Sequence, residues 1–259
     1  SHEHHRGGAM TSVIFIHGMF VTPRCWQGWI DRFNARGILC EAPAWPHHDG
    51  APAELRARHP SAALGRLTLD ELVAHFEAIV KKQPSPPVLI GHSMGGLIVQ
   101  LLLNRGLGAR GVAIDSAPPK GVLALRWSML RANFPVFFGT APLLMSEAQW
   151  RYAFDNTSTP DEVHAHYEAQ LVPESKRVAR GALGAQLDWK APHAPLLLVG
   201  GGADHIIPHA VNEANVRKYA HAESRVDYKL FEGRTHYTIL DGKGWEEVCD
   251  FVGDWVQAA

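Results

Sequence analysis

Ser93 sits among small residues in Gly91-His92-Ser93-Met94-Gly95-Gly96, directly behind the apolar run Pro87-Val88-Leu89-Ile90 and directly ahead of Leu97-Ile98-Val99-Gln100-Leu101-Leu102-Leu103. The pattern reads as strand, sharp turn and helix, with a serine at the apex. Small residues on both sides permit a strained turn that pushes the hydroxyl into a cleft. The helix that follows would aim its N-terminal N–H groups and positive dipole end at a developing oxyanion. A serine hydroxyl is a poor nucleophile near neutral pH. This reading therefore requires a histidine to take its proton and an acid to orient that histidine.

Both occur downstream, in the order serine, acid, histidine. The run Pro195-Leu196-Leu197-Leu198-Val199-Gly200 has the look of a buried strand, and Asp204 follows it on a glycine turn. The stretch from Val226 to Phe231 repeats the arrangement, with His236 on the loop beyond it. Side chains at the carboxyl ends of strands in a parallel sheet converge on one face, which makes these positions candidates for chemistry. Asp115, at the end of another strand, is a rival acid that such a fold also uses structurally. Asp241 follows His236 too closely to approach its ring from behind. His92 should alternate away from Ser93 and pack. His205, next to Asp204, is placed only as a neighbour of the site.

Near the start, Thr11-Ser12-Val13-Ile14-Phe15-Ile16 runs into His17-Gly18-Met19-Phe20. With the Gly-His-Ser-Met-Gly-Gly turn, the Gly-x-x-Asp-x-x-x-Pro segment around Asp204 and Thr235-His236, the chain resembles the α/β-hydrolase superfamily, a serine esterase or lipase-like member, over nearly all of its length after Met10. The resemblance implies Ser93 as nucleophile, His236 as base and Asp204 as its acid. It implies the backbone N–H groups of Met19 and Met94 as the oxyanion hole, with His17 bracing the loop. It also implies a helical cap inserted after Asp115 and lying over the serine. Full-length relatives open with an antiparallel strand pair for which this chain has no room, so a trimmed sheet of about six strands is expected.

The length of 259 residues, 46% of them hydrophobic, suits one domain with a single large core. A formal net charge of −1 gives no electrostatic reason to expect nucleic acid or an anionic membrane as partner. Three of the sixteen histidines lie in residues 1–9, which read as an expression-tag remnant. With Met10 as start and a strand immediately after it, no leader or membrane span is expected, and the location expected is cytoplasmic. Cys25, Cys40 and Cys249 follow no disulfide or zinc spacing. In His47-His48-Asp49 the adjacent histidines should diverge, which argues against a metal site. No cofactor and no metal is expected, and the oligomeric state is left open.

These side chains need a scaffold. Apolar, β-rich runs at 13–16, 38–42, 88–90, 112–114, 196–199 and 228–231 alternate with helix-like segments at 26–35, 68–82, 94–104, 210–220 and 245–256. That alternation predicts a mostly parallel sheet covered on both faces by helices, the α/β-hydrolase architecture. The strand rhythm stops between Ser116 and Pro192, where aromatic and helix-forming residues dominate. The expected division is a core at 10–117 and 191–259 and a helical cap at 118–190. Most of the cap aromatics should fill its own core. Phe20, Trp127, Phe134, Phe137 and Phe138 are expected to line an apolar pocket over Ser93. The function expected is hydrolysis of carboxylic esters with small to medium apolar groups through an acyl-enzyme. The same parts support C–C bond hydrolysis, perhydrolysis or lyase chemistry, a ligand receptor with slow turnover, or a lipase acting at an interface.

Overall fold

The computed structural model describes residues 10–122 and 126–258. Residues 1–9, read above as a tag remnant, and residues 123–125 of the expected cap lie outside the described residues. Six parallel strands form one sheet: β1 (Ser12–Ile16), β2 (Leu39–Glu41), β3 (Val88–His92), β4 (Arg110–Ile114), β5 (Leu196–Gly201) and β6 (Val226–Phe231), in the order β2-β1-β3-β4-β5-β6. This is the expected six-stranded sheet flanked by helices.

Side-chain alternation explains the burial on both faces. On β1, Val13 and Phe15 join one core layer with Trp26, Trp29 and Phe33, while Ile14 and Ile16 join the other with Leu72, Phe76 and Leu97. Strands β3, β4 and β5 divide the same way: Val88, Ile90, Val112, Ile114, Leu197 and Val199 face the first layer, and Leu89, Ala113, Leu196 and Leu198 the second. Strands buried on both sides can be apolar without a break, as these are.

The helices are α1 (Gln27–Ala35), α2 (Pro52–Ala57), α3 (Ala62–Arg66), α4 (Leu69–Lys81), α5 (Met94–Asn104), α6 (Trp127–Asn133), α7 (Glu147–Ala153), α8 (Pro160–Gln170), α9 (Lys176–Gly181), α10 (His209–Lys218), α11 (Thr238–Asp241) and α12 (Trp245–Gln257). The Thr68 hydroxyl caps α4 by accepting from the Glu71 N–H, and Leu69, Leu72, Val73, Phe76 and Val80 give it one buried face. The helix expected from residue 26 instead opens with a 3-10 turn, Pro23–Trp26, capped by Thr22, and α1 begins only at Gln27. Proline at a first turn lacks only an N–H that has no helical partner anyway, so the turn can form three residues earlier, from Pro23.

Helices α6 to α9, with 3-10 turns at Phe134–Phe137 and Ala182–Gly184, occupy the chain between β4 and β5. Two of them carry reciprocal capping boxes, Ser146 with Gln149 and Thr159 with Glu162. No helix among the described residues is long and apolar enough to cross a membrane.

Candidate active site

Ser93 joins β3 to α5 with φ at +57° and ψ at −118°, a conformation that L-residues with a side chain rarely adopt. The turn is held from several sides. The Ser93 N–H donates to Ile114 O (2.9 Å), and Ser93 O accepts from Gly96 N and Ala117 N (2.9 Å each). The glycines are needed for close approach. A Cβ on Gly91 would run into the Gly95 carbonyl, and one on Gly95 into the Ile16 carbonyl at the end of β1. A Cβ on Gly18 would lie 2.9 Å from His92 O and 3.0 Å from Ser93 Cβ, so the 17–20 loop is pressed directly against the serine turn.

His236 lies on the loop after β6, buried, with Nδ1 2.6 Å from Asp204 Oδ2. Its Nε2 is buried and has no hydrogen-bond partner among the described residues, while the imidazole and Ser93 border the same cavity. Asp204 Oδ1 accepts from the N–H groups of Ile206 (2.7 Å) and Ile207 (2.9 Å), which leaves Oδ2 for the imidazole. Phe154 stands edge-on to the imidazole, ring centroids 5.0 Å apart, and Phe154 O accepts from Tyr237 N at 2.9 Å. His92 packs against His236 and its Nε2 meets His236 O at 2.8 Å.

Asp115 takes a different place. Its φ is +42°, and its Oδ1 accepts from Gly201 N (2.7 Å) and Asn212 Nδ2 (3.4 Å), tying β4 to the end of β5 and to α10. It is buried beside Asp204, so the two carboxyls titrate against one another. Burial first, then the neighbouring Asp204 charge, hold Asp115 well above the ordinary carboxyl range. Burial also raises Asp204, to about 7, against the pull of hydrogen bonds from Asp115 and from the Ile207 and Ile206 N–H groups. Desolvation holds the His236 imidazole low, at about 3. Burial beside Asp204 thus favours the protonated form of Asp115.

The 17–20 loop is braced by its first residue. His17 Nε2 accepts from Trp45 N (3.2 Å), Nδ1 meets Gly18 O (2.8 Å), and the ring stacks on Trp45 at 4.8 Å. Burial and the neighbouring His48 keep His17 neutral by lowering its pKa. A further brace was not visible from sequence. Glu174, fully buried after α8, accepts from Phe20 N (3.0 Å), from His48 Nε2 (2.9 Å) and from Ser175 N (2.9 Å). Phe20 itself has a φ of +68°, so this carboxylate holds a strained backbone. Glu174 had one weak signal, a lone acid behind the apolar Leu171-Val172-Pro173. His48 is thereby drawn inward, while His47 lines a separate surface recess, and the two diverge as expected.

Met94 N–H is the first of α5, one of the four that no helical carbonyl can take. The Met94 and Met19 side chains border the cavity over Ser93, which encloses about 270 Å³. Its walls include Met129, Val136, Met145, Phe154 and Ile207. Phe20 and Phe137 border it. Trp127, Phe134 and Phe138 do not: Trp127 borders a neighbouring groove, and Phe134 and Phe138 pack on each other at the surface, ring centroids 4.8 Å apart. The reason is the pitch of α6 and the 3-10 turn after it, which presents Met129, Ala132, Asn133 and Val136 to the cavity and turns these aromatics outward. His205 meets Tyr152 O at 2.7 Å and lies in that neighbouring groove.

Among the described residues one grouping has metal-ligand proximity, His92, Asp115 and His236, with ligand atoms within 4.8 Å of one another. His236 Nδ1 is committed to Asp204 and His92 Nε2 to His236 O, while His92 Nδ1, Asp115 Oδ2 and His236 Nε2 are buried without a hydrogen-bond partner among the described residues.

The sequence profile of the alpha/beta hydrolase family matches residues 13–251. No curated protein matches the chain by sequence. Solved structures with the same fold include a monoacylglycerol lipase of Paleococcus ferrophilus, 20% identical, TM-score 0.66, covering 95% of this chain and 93% of that one. A methylesterase from Arabidopsis is 14% identical with a TM-score of 0.69, covering 95% and 99% of the two chains. A pyrethroid hydrolase from Sphingobium faniae is 15% identical with a TM-score of 0.64, covering 96% and 98%. At these identities the likeness is one of fold.

Proposed function

Because the chain belongs to the alpha/beta hydrolase family, we propose that it hydrolyses carboxylic esters with small to medium apolar groups, using Ser93, His236 and Asp204. The observation that carries this reading is the meeting of a strained serine and a buried, unpartnered imidazole nitrogen at one apolar cavity. His236 Nε2 takes the Ser93 proton as the hydroxyl oxygen bonds to the ester carbonyl carbon. The carbonyl oxygen becomes an oxyanion held by the N–H groups of Met19 and Met94. Collapse expels the alcohol with a proton from His236, and water then releases the acid with His236 again as base. Asp204 fixes the tautomer of the imidazole and stabilises its charged form. In this reading, residues 118–190 are a cap whose Met129, Val136, Met145 and Phe154 close the acyl site. The esters cleaved by the named structural relatives agree with this chemistry.

The test is Ser93→Ala, assayed on p-nitrophenyl esters, with a fluorophosphonate label located by mass spectrometry. Turnover should fall by about five orders of magnitude or more, the label should sit on Ser93 in the parent, and the thermal transition should barely move. Activity within tenfold of the parent would remove Ser93 from the chemistry.

A further inference from the structure

Eight large hydrophobic side chains are strongly exposed among the described residues, and six of them crowd one place: Trp127, Leu130, Phe134, Phe137, Phe138 and Leu183. Trp127 is 77% exposed, Leu183 66% and Phe134 61%. Leu130, Phe137 and Leu183 also border the cavity over Ser93, so the patch is the rim of its mouth. Short helices that hide Met129, Ala132 and Val136 inside do not ordinarily leave this much aromatic surface in water, and contiguous apolar surface of this kind marks an interaction site.

In sequence, the segments that supply the patch carry charge of one sign. The two segments that build it, residues 116–146 and 175–187, carry Lys120, Arg126, Arg131, Lys176, Arg177 and Arg180 and not a single Asp or Glu. Lys176 Nζ donates to Phe138 O (2.6 Å), and Arg180 donates to Gly139 O, which places both cations at the edge of the aromatic turn. Lys120 borders the cavity itself. The whole chain is nearly neutral, with a formal net charge of −1, so this local excess is balanced elsewhere on the molecule.

We propose that this rim docks on the surface of an anionic lipid assembly, with Trp127, Phe134 and Phe138 entering the acyl–headgroup boundary and the cations facing the acidic headgroups. Aromatic side chains favour that boundary, and each nearby Lys or Arg adds to the attraction. Docking there opens the cavity towards the lipid, so an apolar ester reaches Ser93 without crossing water. The surface accounts for a neutral protein meeting an anionic membrane, which overall charge alone does not anticipate. The inference rests on the ester-hydrolase reading only for its purpose; the docking itself needs no chemistry.

The test is co-sedimentation of the Ser93→Ala protein with vesicles of phosphatidylcholine, with and without phosphatidylglycerol, so that no lipid is consumed. The expected result is binding to the phosphatidylglycerol vesicles that weakens as salt is raised. Combined Lys176→Gln, Arg177→Gln and Arg180→Gln should lower the partition coefficient by about fivefold per cation removed. Combined Trp127→Ser, Phe134→Ser and Phe138→Ser should abolish binding, with thermal unfolding checking that each variant is folded. No binding, equal binding to both vesicles, or insensitivity to both sets of substitutions would overturn the proposal. So would a concentration-dependent dimer that Phe134→Ser dissolves without any vesicle binding, since a second copy would then cover the patch. Hydrolysis of a dissolved p-nitrophenyl ester by the parent protein is scored separately, so loss of docking and loss of esterase activity are told apart.

Discussion

The strand-end loops of the sheet and the helical stretch between β4 and β5 both reach the candidate site, but by different means. Ser93, Asp204 and His236 are placed by backbone: a glycine-flanked turn after β3, a glycine turn after β5 and the loop after β6. Residues 118–190 act through side chains that come from far along the chain. Phe154 stands against His236, Glu174 holds Phe20, and Met129 and Met145 wall the cavity. Positions fixed by backbone tolerate little variation, whereas walls made by side chains can be exchanged. In the proposed reading, the sheet sets the reaction and the helical stretch sets its environment.

The largest effect expected from challenging that division falls on the sheet side, at the carboxyl pair. Asp204→Asn should lower kcat by about four orders of magnitude, because the amide presents the wrong partner to Nδ1 and fixes the wrong tautomer. Asp115→Asn should cost far less, since Asn keeps an oxygen for the Gly201 N–H and tolerates the positive φ of that position. The reverse ranking would make Asp115 the working acid. The pH profile sharpens the same point. Asp204 is raised to about 7, and when protonated it donates to Nδ1, leaving the proton on Nε2 where the base should be. Activity should therefore be lost as pH falls through about 7 and regained as it rises. The limb belongs to the hydrogen-bonded Asp204–His236 pair as a unit. Asp115→Ala removes the buried neighbour that holds the Asp204 pKa down, so the acidic limb should move upward. An unmoved limb would show the two carboxyls to be independent.

The boundary between the regions is the Phe20–Glu174 contact, and an intermediate effect belongs there. Glu174→Ala removes the acceptor that holds a strained Phe20 next to Met19, and leaves His48 buried without its partner. If Met19 N–H holds the oxyanion, kcat should fall by about ten- to a hundredfold with little change in KM, because the lost hydrogen bond acts mainly in the transition state. Affinity for a boronic acid analogue should fall in step. Glu174→Gln, which still offers an oxygen to Phe20 N, should recover part of the loss. A folded Glu174→Ala with unchanged kcat would reduce the contact to packing.

What could be read from sequence follows the same line. The serine turn, the six strands and α4 and α5 depend on neighbours within a few residues: glycines at fixed offsets, period-two and period-3.6 apolar patterns. Local rules suffice there. Glu174 could not be assigned a partner, because its acceptors' donors are 154 and 126 residues away at Phe20 and His48. The pocket aromatics failed for a related reason. Their types were legible, but which of Phe134, Phe137 and Phe138 faces the cavity depends on where α6 ends and a tighter turn begins, at Phe134. An α-helical step turns the chain by about 100° and a 3-10 step by about 120°, so each residue that changes form rotates the following side chains by about 20°.

The smallest effect expected tests whether the helical stretch sets selectivity at all. The cavity of about 270 Å³ is walled by Met19, Met94, Met129, Val136, Met145, Phe154 and Ile207, with Lys120 the cation on its border. Apolar walls reward each added methylene by up to about 0.8 kcal/mol, roughly a fourfold gain in kcat/KM, until the space is full. A p-nitrophenyl ester series should rise from acetate through butyrate and then level or fall. Val136→Phe narrows the wall contributed by the helical stretch and should move that maximum to a shorter chain, with the rate on acetate little altered. If chain length has no effect, or if Val136→Phe lowers all esters equally, the acyl group lies elsewhere, and both reaction and selectivity belong to the sheet.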